Sequence, residues 1–208
     1  RLDCVVGSAA LMRQAVAQAS HHAAHRSAFG RRLADQPLMA NVLADLAVEA
    51  EAATMLAMRV AGAFDRAAGD PAEAALRRLA TAAAKYWVCK RATPHAAEAM
   101  ECLGGNGYAE ESGMPRIYRE APLMGIWEGS GNVSALDTLR AMATRPECVE
   151  VLFDELAGPA AQDARLDAHV SRLRDGLADP ATLEYRARKV AEDITLALQG
   201  ALLVRHGH

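Results

Sequence analysis

Residues 101–140 read ECLGGNGYAEESGMPRIYREAPLMGIWEGSGNVSALDTLR. Two glycine-rich turns, Gly104-Gly105-Asn106-Gly107 and Gly129-Ser130-Gly131, fall where helical patterns break off or begin, and Glu128 stands between them directly after Trp127. Glycine lets backbone amides approach a flat or anionic ligand, and a Ser or Asn ahead of a new helix leaves N–H groups pointing outward. A carboxylate beside an indole is partly dehydrated, which raises its proton affinity and suits it to general-base work. This stretch is where chemistry is expected. The same residues also read as plain helix caps around a solvated turn acid.

Upstream, residues 2–26 place Val5, Ala9, Met12, Val16, Ala19 and Ala23 at helical intervals with no strand-like alternation. His21, His22, His25 and Arg26 complement the negative end of that helix's dipole, and Phe29-Gly30 closes it. His21 and His25 stand one turn apart, but no acid or cysteine at useful spacing completes a metal site. Asp35-Gln36-Pro37 reads as a capped helix start. From there Leu38, Val42, Leu46, Val48, Met55, Val60 and Phe64 carry an apolar stripe to Gly69. Asp70-Pro71-Ala72-Glu73 is a capping box opening a third long helix, which meets Pro94 and is expected to kink there.

Beyond the glycine turns the predicted helices are 112–120, ended by Pro122, and 133–143, capped by Ser130 or Asn132. Residues 146–208 read as three helices parted at Gly158-Pro159 and Asp179-Pro180, with apolar faces Leu166, Val170, Leu173, Leu177 and Leu183, Val190, Ile194, Leu198, Leu202. No segment reads as a strand. The expected fold is all-α: residues 1–144 form an up-and-down bundle of three long helices plus a fourth, and residues 145–208 an appended C-terminal helical hairpin.

Composition supports helix on helix. Aromatic residues are only 4% of the chain, so its core must be built from Ala, Leu, Val and Met between closely approaching helices. A net charge of -3 gives no global reason for a nucleic-acid or membrane surface. No run reaches the ~18 apolar residues of a membrane span. Cys4, Cys89, Cys102 and Cys148 form no C-x-x-C pair, which argues against a zinc knuckle or a disulfide scaffold and fits a reducing, cytoplasmic setting. The start at Arg1-Leu2-Asp3-Cys4 reads as an excised part of a longer protein.

Arg26-Ser27-Ala28-Phe29-Gly30, Cys102-Leu103-Gly104-Gly105-Asn106-Gly107-Tyr108 and Trp127-Glu128-Gly129-Ser130-Gly131-Asn132 resemble the R-x-x-F-G, LGGNGY and (Y/W)-E-G-(T/S) signatures of the C-terminal helical domain of acyl-CoA dehydrogenases. The run from Ala84 through Lys85-Tyr86-Trp87 to Arg91, the acids Glu110-Glu111, the segment Tyr118-Arg119-Glu120-Ala121-Pro122 and the long tail resemble the AidB-like alkylation-response branch of that family.

The resemblance implies an FAD-dependent enzyme whose missing upstream domains pack on this one, assembled as a homotetramer, usually a dimer of dimers. It implies that Arg26 reaches the FAD pyrophosphate of a neighbouring subunit, where a planar guanidinium suits phosphate oxygens. Phe29 would pack on the cofactor, Glu101, Cys102, Leu103, Gly104 and Gly105 would line the dinucleotide, and Ser130, Gly131 and Asn132 would meet it at a helix start. Glu101 departs from the uncharged Gln of many members, so it is expected to meet ribose or adenine, or to turn away. Glu128 matches the catalytic base that removes the α-proton of an acyl-CoA thioester, with its N–H as an oxyanion donor. Trp127, Gly129 and Arg1 would line the substrate pocket. Some relatives carry the base at the start of the first long helix instead, a position that falls at or before Arg1, outside this chain, and that Glu128 makes unnecessary.

A second reading from the same branch is a flavin-containing DNA-binding protein that protects against alkylation damage. Its basic surface would come from Lys85, Lys90, Arg91, Arg116, Arg119 and Arg140, which serve equally well to neutralise CoA phosphates or Glu110 and Glu111. Residues 141–208 carry 8 Lys and Arg against 11 Asp and Glu, so the tail is no polycation and phosphate-dominated binding is expected to be weak. In a third reading the tail is solely an oligomerisation element.

Overall fold

Three long helices, α1 (Leu2–His25), α2 (Pro37–Arg66) and α3 (Pro71–Glu101), pack on one another in a computed structural model that describes residues 1–207. The one-turn α4 (Gly105–Tyr108), then α5 (Met114–Met124) and α6 (Gly131–Thr144), lie against α3, and α7 (Glu147–Ala160), α8 (Ala164–Leu177) and α9 (Ala187–His206) complete the chain. His208, the last residue of the expected tail, lies outside the described residues.

Alanine sets how closely the helices approach. Ala50, Ala53 and Ala57 on α2 are buried beside Leu56 and Val60 in one apolar cluster with Leu79, Ala80 and Ala83 of α3. The stripe expected for α2 is therefore only partly its core face. Leu38, Val48 and Phe64 are exposed, because alanines occupy the inward positions that a search for large side chains passes over. On α1, Val5, Ala9, Met12, Ala19 and Ala23 are buried as expected and Val16 is half-buried. The apolar cluster continues without a break into Leu152 and Leu156 of α7 and Ile194, Leu198 and Leu202 of α9.

Caps explain most boundaries. Asp70 accepts from the N–H groups of Ala72 and Glu73. The reciprocal half of the expected box is not made, since Glu73 turns to Arg59 and Arg66. At α2 the cap is Gln36 rather than Asp35, which lies in a single 3-10 turn, Leu33–Asp35. The Gln36 amide instead donates to the Ala28 carbonyl at 3.1 Å.

Three expectations are corrected. A short antiparallel pair does occur, β1 (Ser27–Ala28) with β2 (Arg31–Arg32). Its two-residue loop holds Phe29 at φ 54° and Gly30 at φ 85°, the left-handed pair that suits the twist of a tight hairpin. The helix expected to stop at Pro122 runs on to Met124, and α7 runs through Gly158-Pro159. Proline costs little in a last turn if the carbonyl it strands finds another donor. For Pro159 that carbonyl is Glu155 O, which accepts from Arg205 Nη2 on α9 at 3.0 Å. α3 likewise continues through Pro94.

Candidate functional site

The expected site residues fall into two groups, not one. The first surrounds a groove of about 490 Å³ between the end of α1, the β1–β2 hairpin and the end of α3, with Arg26, Glu101, Gly104 and Gly105 at its rim. Arg26 is exposed and pairs with no carboxylate among the described residues. Phe29, at the hairpin tip, is 97% exposed, although left-handed backbone is costly for a bulky side chain. Burial, Arg26 and His21 together hold the half-buried His22 imidazole below its usual basicity.

Cys102 and Leu103 also line the groove. Both are buried in a small cluster with Ala15, Ala19, Leu46, Ala99 and Met114, and burial, reinforced by Glu98 and Glu101, pushes the Cys102 thiol up to about 11. Gly107 has a separate reason: a Cβ there would lie 2.2 Å from the Met100 carbonyl, so α4 could not fold back against the end of α3.

The second group is the turn between α5 and α6. Trp127 is 53% exposed, Glu128 is exposed at φ 57°, and Gly129 follows at φ 110°, where a Cβ would also meet Val133 at 2.9 Å. The dehydration expected of Glu128 is not supplied by these residues. One half-exposed indole does not cover a carboxylate on a turn with nothing packed over it. Neither the Glu128 carboxylate nor its N–H finds a partner among the described residues.

The Glu128 carbonyl, in contrast, is held. Arg1 Nε donates to it at 2.9 Å, and Arg1 Nη1 pairs with Asp137 on α6. Asp137 also takes a two-pronged bond from Arg78 at 2.8 and 3.1 Å. Burial disfavours the Asp137 charge, but the two guanidinium groups outweigh it and hold the carboxyl below the usual range. Lys85 Nζ, buried on α3, donates to the Met124 carbonyl at 2.7 Å and the Gly129 carbonyl at 3.2 Å. Ser130 caps α6 in position but without a side-chain bond, Gly131 packs near the Tyr86 ring, and Asn132 accepts from Arg188 of α9 at 2.7 Å.

The two groups are far apart within one chain. Lys85, under the Glu128 turn, and Glu101, at the groove, are sixteen residues apart on α3, about 24 Å along the axis. No motif marks Arg78 or Asp137 as part of this site, and Lys85, expected on a basic surface, lies buried beneath the turn. Its 1% exposure removes it from any basic surface. Arg91 pairs with Glu49 and Arg119 with Glu110, while Arg140 is 3.9 Å from Asp137. No helix among the described residues is long and apolar enough to cross a membrane.

Known proteins share this architecture. AidB of Escherichia coli is 44% identical over 206 residues, 99% of this chain and 38% of AidB. Caenorhabditis elegans ACDH-11, solved in complex with C11-CoA, superposes with a TM-score of 0.92 at 27% identity, over 99% of this chain and 38% of that one. An acyl-CoA dehydrogenase from Geobacillus kaustophilus matches at TM-score 0.61 and 25% identity, over 68% of this chain and 36% of that one. The AidB alignment and the ACDH-11 superposition both extend over the α7–α9 tail, and the chain spans 38% of the length of each. The profile of the acyl-CoA dehydrogenase C-terminal domain matches residues 1–143, and the chain belongs to that family.

Proposed function

We propose that the chain is the C-terminal part of an FAD-dependent acyl-CoA dehydrogenase of the AidB-like branch, with Glu128 as the general base. The observation that carries this reading is the Glu128 turn. A non-glycine residue is kept at positive φ, its carbonyl is tied down, and its carboxylate and N–H are left free to act. The acyl-CoA bound by ACDH-11 supports the substrate class.

The residues present fit FAD. An unpaired guanidinium, a groove with two exposed glycines and an outward-facing phenyl ring suit pyrophosphate and a flat ring system. Arg26 would bind the pyrophosphate, Phe29 would pack on the cofactor, and Gly104 and Gly105 would allow its close approach. Glu101 would sit toward the ribose. Ser130, Gly131 and Asn132 would meet the cofactor at the start of α6. Because the two groups lie so far apart, each would complete a site with a second copy of the chain, in keeping with a tetramer built as a dimer of dimers.

At the Glu128 turn the free N–H would receive the thioester oxygen as negative charge builds on it, and the carboxylate would take the α-proton. FAD, when bound, supplies the acceptor for the β-hydrogen as hydride. Trp127 and Gly129 would wall the acyl chain. Dehydration of Glu128 falls to the substrate, the cofactor and parts of the protein beyond this chain. The test is anaerobic mixing of the full-length protein with acyl-CoAs of graded chain length. Loss of the flavin's visible absorbance with one range of lengths is expected, and no loss with any thioester contradicts the reading.

A further inference from the structure

Lys85 carries a cost that packing alone does not explain. Its side chain is 1% exposed and pairs with no carboxylate among the described residues, and burying such a group is expensive unless its hydrogen bonds are well used. Nζ spends them on the two ends of one segment. It donates to the Met124 carbonyl, where α5 ends, and to the Gly129 carbonyl, just past Glu128. Ser134 Oγ adds a second donor to Gly129 O at 3.3 Å, and Arg1 holds the intervening Glu128 carbonyl.

We infer that Lys85 is a positioning residue for the Glu128 base, closing the 124–129 segment into a fixed loop so that the carboxylate and N–H of Glu128 project in one direction. The inference rests on the reading of Glu128 as the base. The physical reason is the backbone: Glu128 at φ 57° and Gly129 at φ 110° form a conformation that persists only where the surroundings over-determine it. Arg1 fixes the peptide plane after Glu128, and Lys85 fixes the next one and the point where the segment leaves α5. With Lys85 gone, the N–H groups of Gly125, Ile126 and Trp127 keep their bonds to the Pro122 and Leu123 carbonyls, but the Glu128–Gly129 end is left to the half-buried Arg1 and to Ser134 Oγ, and nothing ties it back to the end of α5. α3 is the right element to carry the clamp, being the long helix against which both α5 and α6 pack.

The substitution Lys85→Met keeps the apolar stem and removes the donors. In the full-length, FAD-loaded protein it is expected to lower kcat for acyl-CoA oxidation roughly 100-fold, the scale of a misplaced reacting group, with KM and flavin content retained. Amide hydrogen exchange is expected to quicken about tenfold in residues 125–127, whose N–H groups are bonded to the end of α5, and nowhere else. Lys85→Arg is expected to recover part of kcat.

Wild-type kcat and exchange in Lys85→Met, beside an inactive Glu128→Gln, overturn the positioning role alone. A kcat loss with exchange quickened throughout the chain overturns it too, because that is general loosening. Full turnover in Glu128→Gln overturns the base assignment and the positioning role with it. Should Lys85→Met not fold, Lys85→Gln keeps one donor and carries the same test. There an intermediate kcat with local quickening supports the role, and wild-type values overturn it.

Discussion

Arg188 Nε on α9 donates to the Asn132 side-chain oxygen at 2.7 Å, so the tail reaches the helix start beside Glu128. The bond is exposed and is expected to contribute about 1 kcal/mol or less. The apolar contacts of the tail matter far more, since Leu152, Leu156, Ile194, Leu198 and Leu202 belong to the same buried cluster as Leu56 and Leu79. Removing residues 146–208 is expected to abolish the cooperative thermal transition, whereas Arg188→Ala should leave Tm nearly unchanged. A truncated chain that melts like the intact one would contradict this.

Arg59 joins α2 to α3 and α7. It donates to Glu73 at 2.8 Å and to Glu155 at 2.9 Å, and Glu155 also accepts from Arg205 at 3.1 Å. Burial disfavours the Arg59 charge, but the bonds to both carboxylates more than offset this and raise its basicity. Arg59→Met leaves Glu73 and Glu155 partly buried with fewer cations and is expected to cost about 3 kcal/mol in urea unfolding. A loss under ~0.5 kcal/mol would show that Arg66 and Arg205 suffice.

Acid should destabilise the chain in two stages. Burial, partly opposed by a bond to the Leu46 carbonyl, holds His95 below its ordinary value of 6.5, so the unfolded chain takes up the proton first and stability falls as pH drops below about 6.5. Glu155 and Asp137 resist their own burial through arginine partners and sit below 4.5 and 3.8, so the stability they add is lost as pH falls through and below those values. Tm measured against pH should show both declines. His95→Gln should shrink the first to the smaller share of the more exposed His22 and leave the second.

All four thiols are buried, and burial raises the pKa of Cys89, Cys102 and Cys148. At neutral pH an alkylating reagent is expected to label none of them until the chain is unfolded. Rapid labelling of Cys102 in the native protein would contradict its burial at the groove.

The long helices were legible because Val5, Met12 and Ala19, or Val190, Ile194 and Leu198, repeat at the helical period and face the core. The hairpin at 27–32 was not, since two-residue strands carry no alternation, and a Phe at positive φ looks like any other Phe. Proline was over-read as a stop at 122 and 159, because the donor that rescues Glu155 O sits on another helix. The motifs marked the positions of the candidate site but not its separation into two groups. Lys85 was misread for the same reason: a lysine buried under a turn is a property of packing, which a one-letter code does not carry.

The most direct test is Glu128→Gln in the full-length flavoprotein, which keeps shape and removes the proton acceptor. The expected result is retained FAD with reduction by acyl-CoA slowed at least ~100-fold, the usual contribution of a general base. Reduction at the wild-type rate would mean that this carboxylate does not take the α-proton.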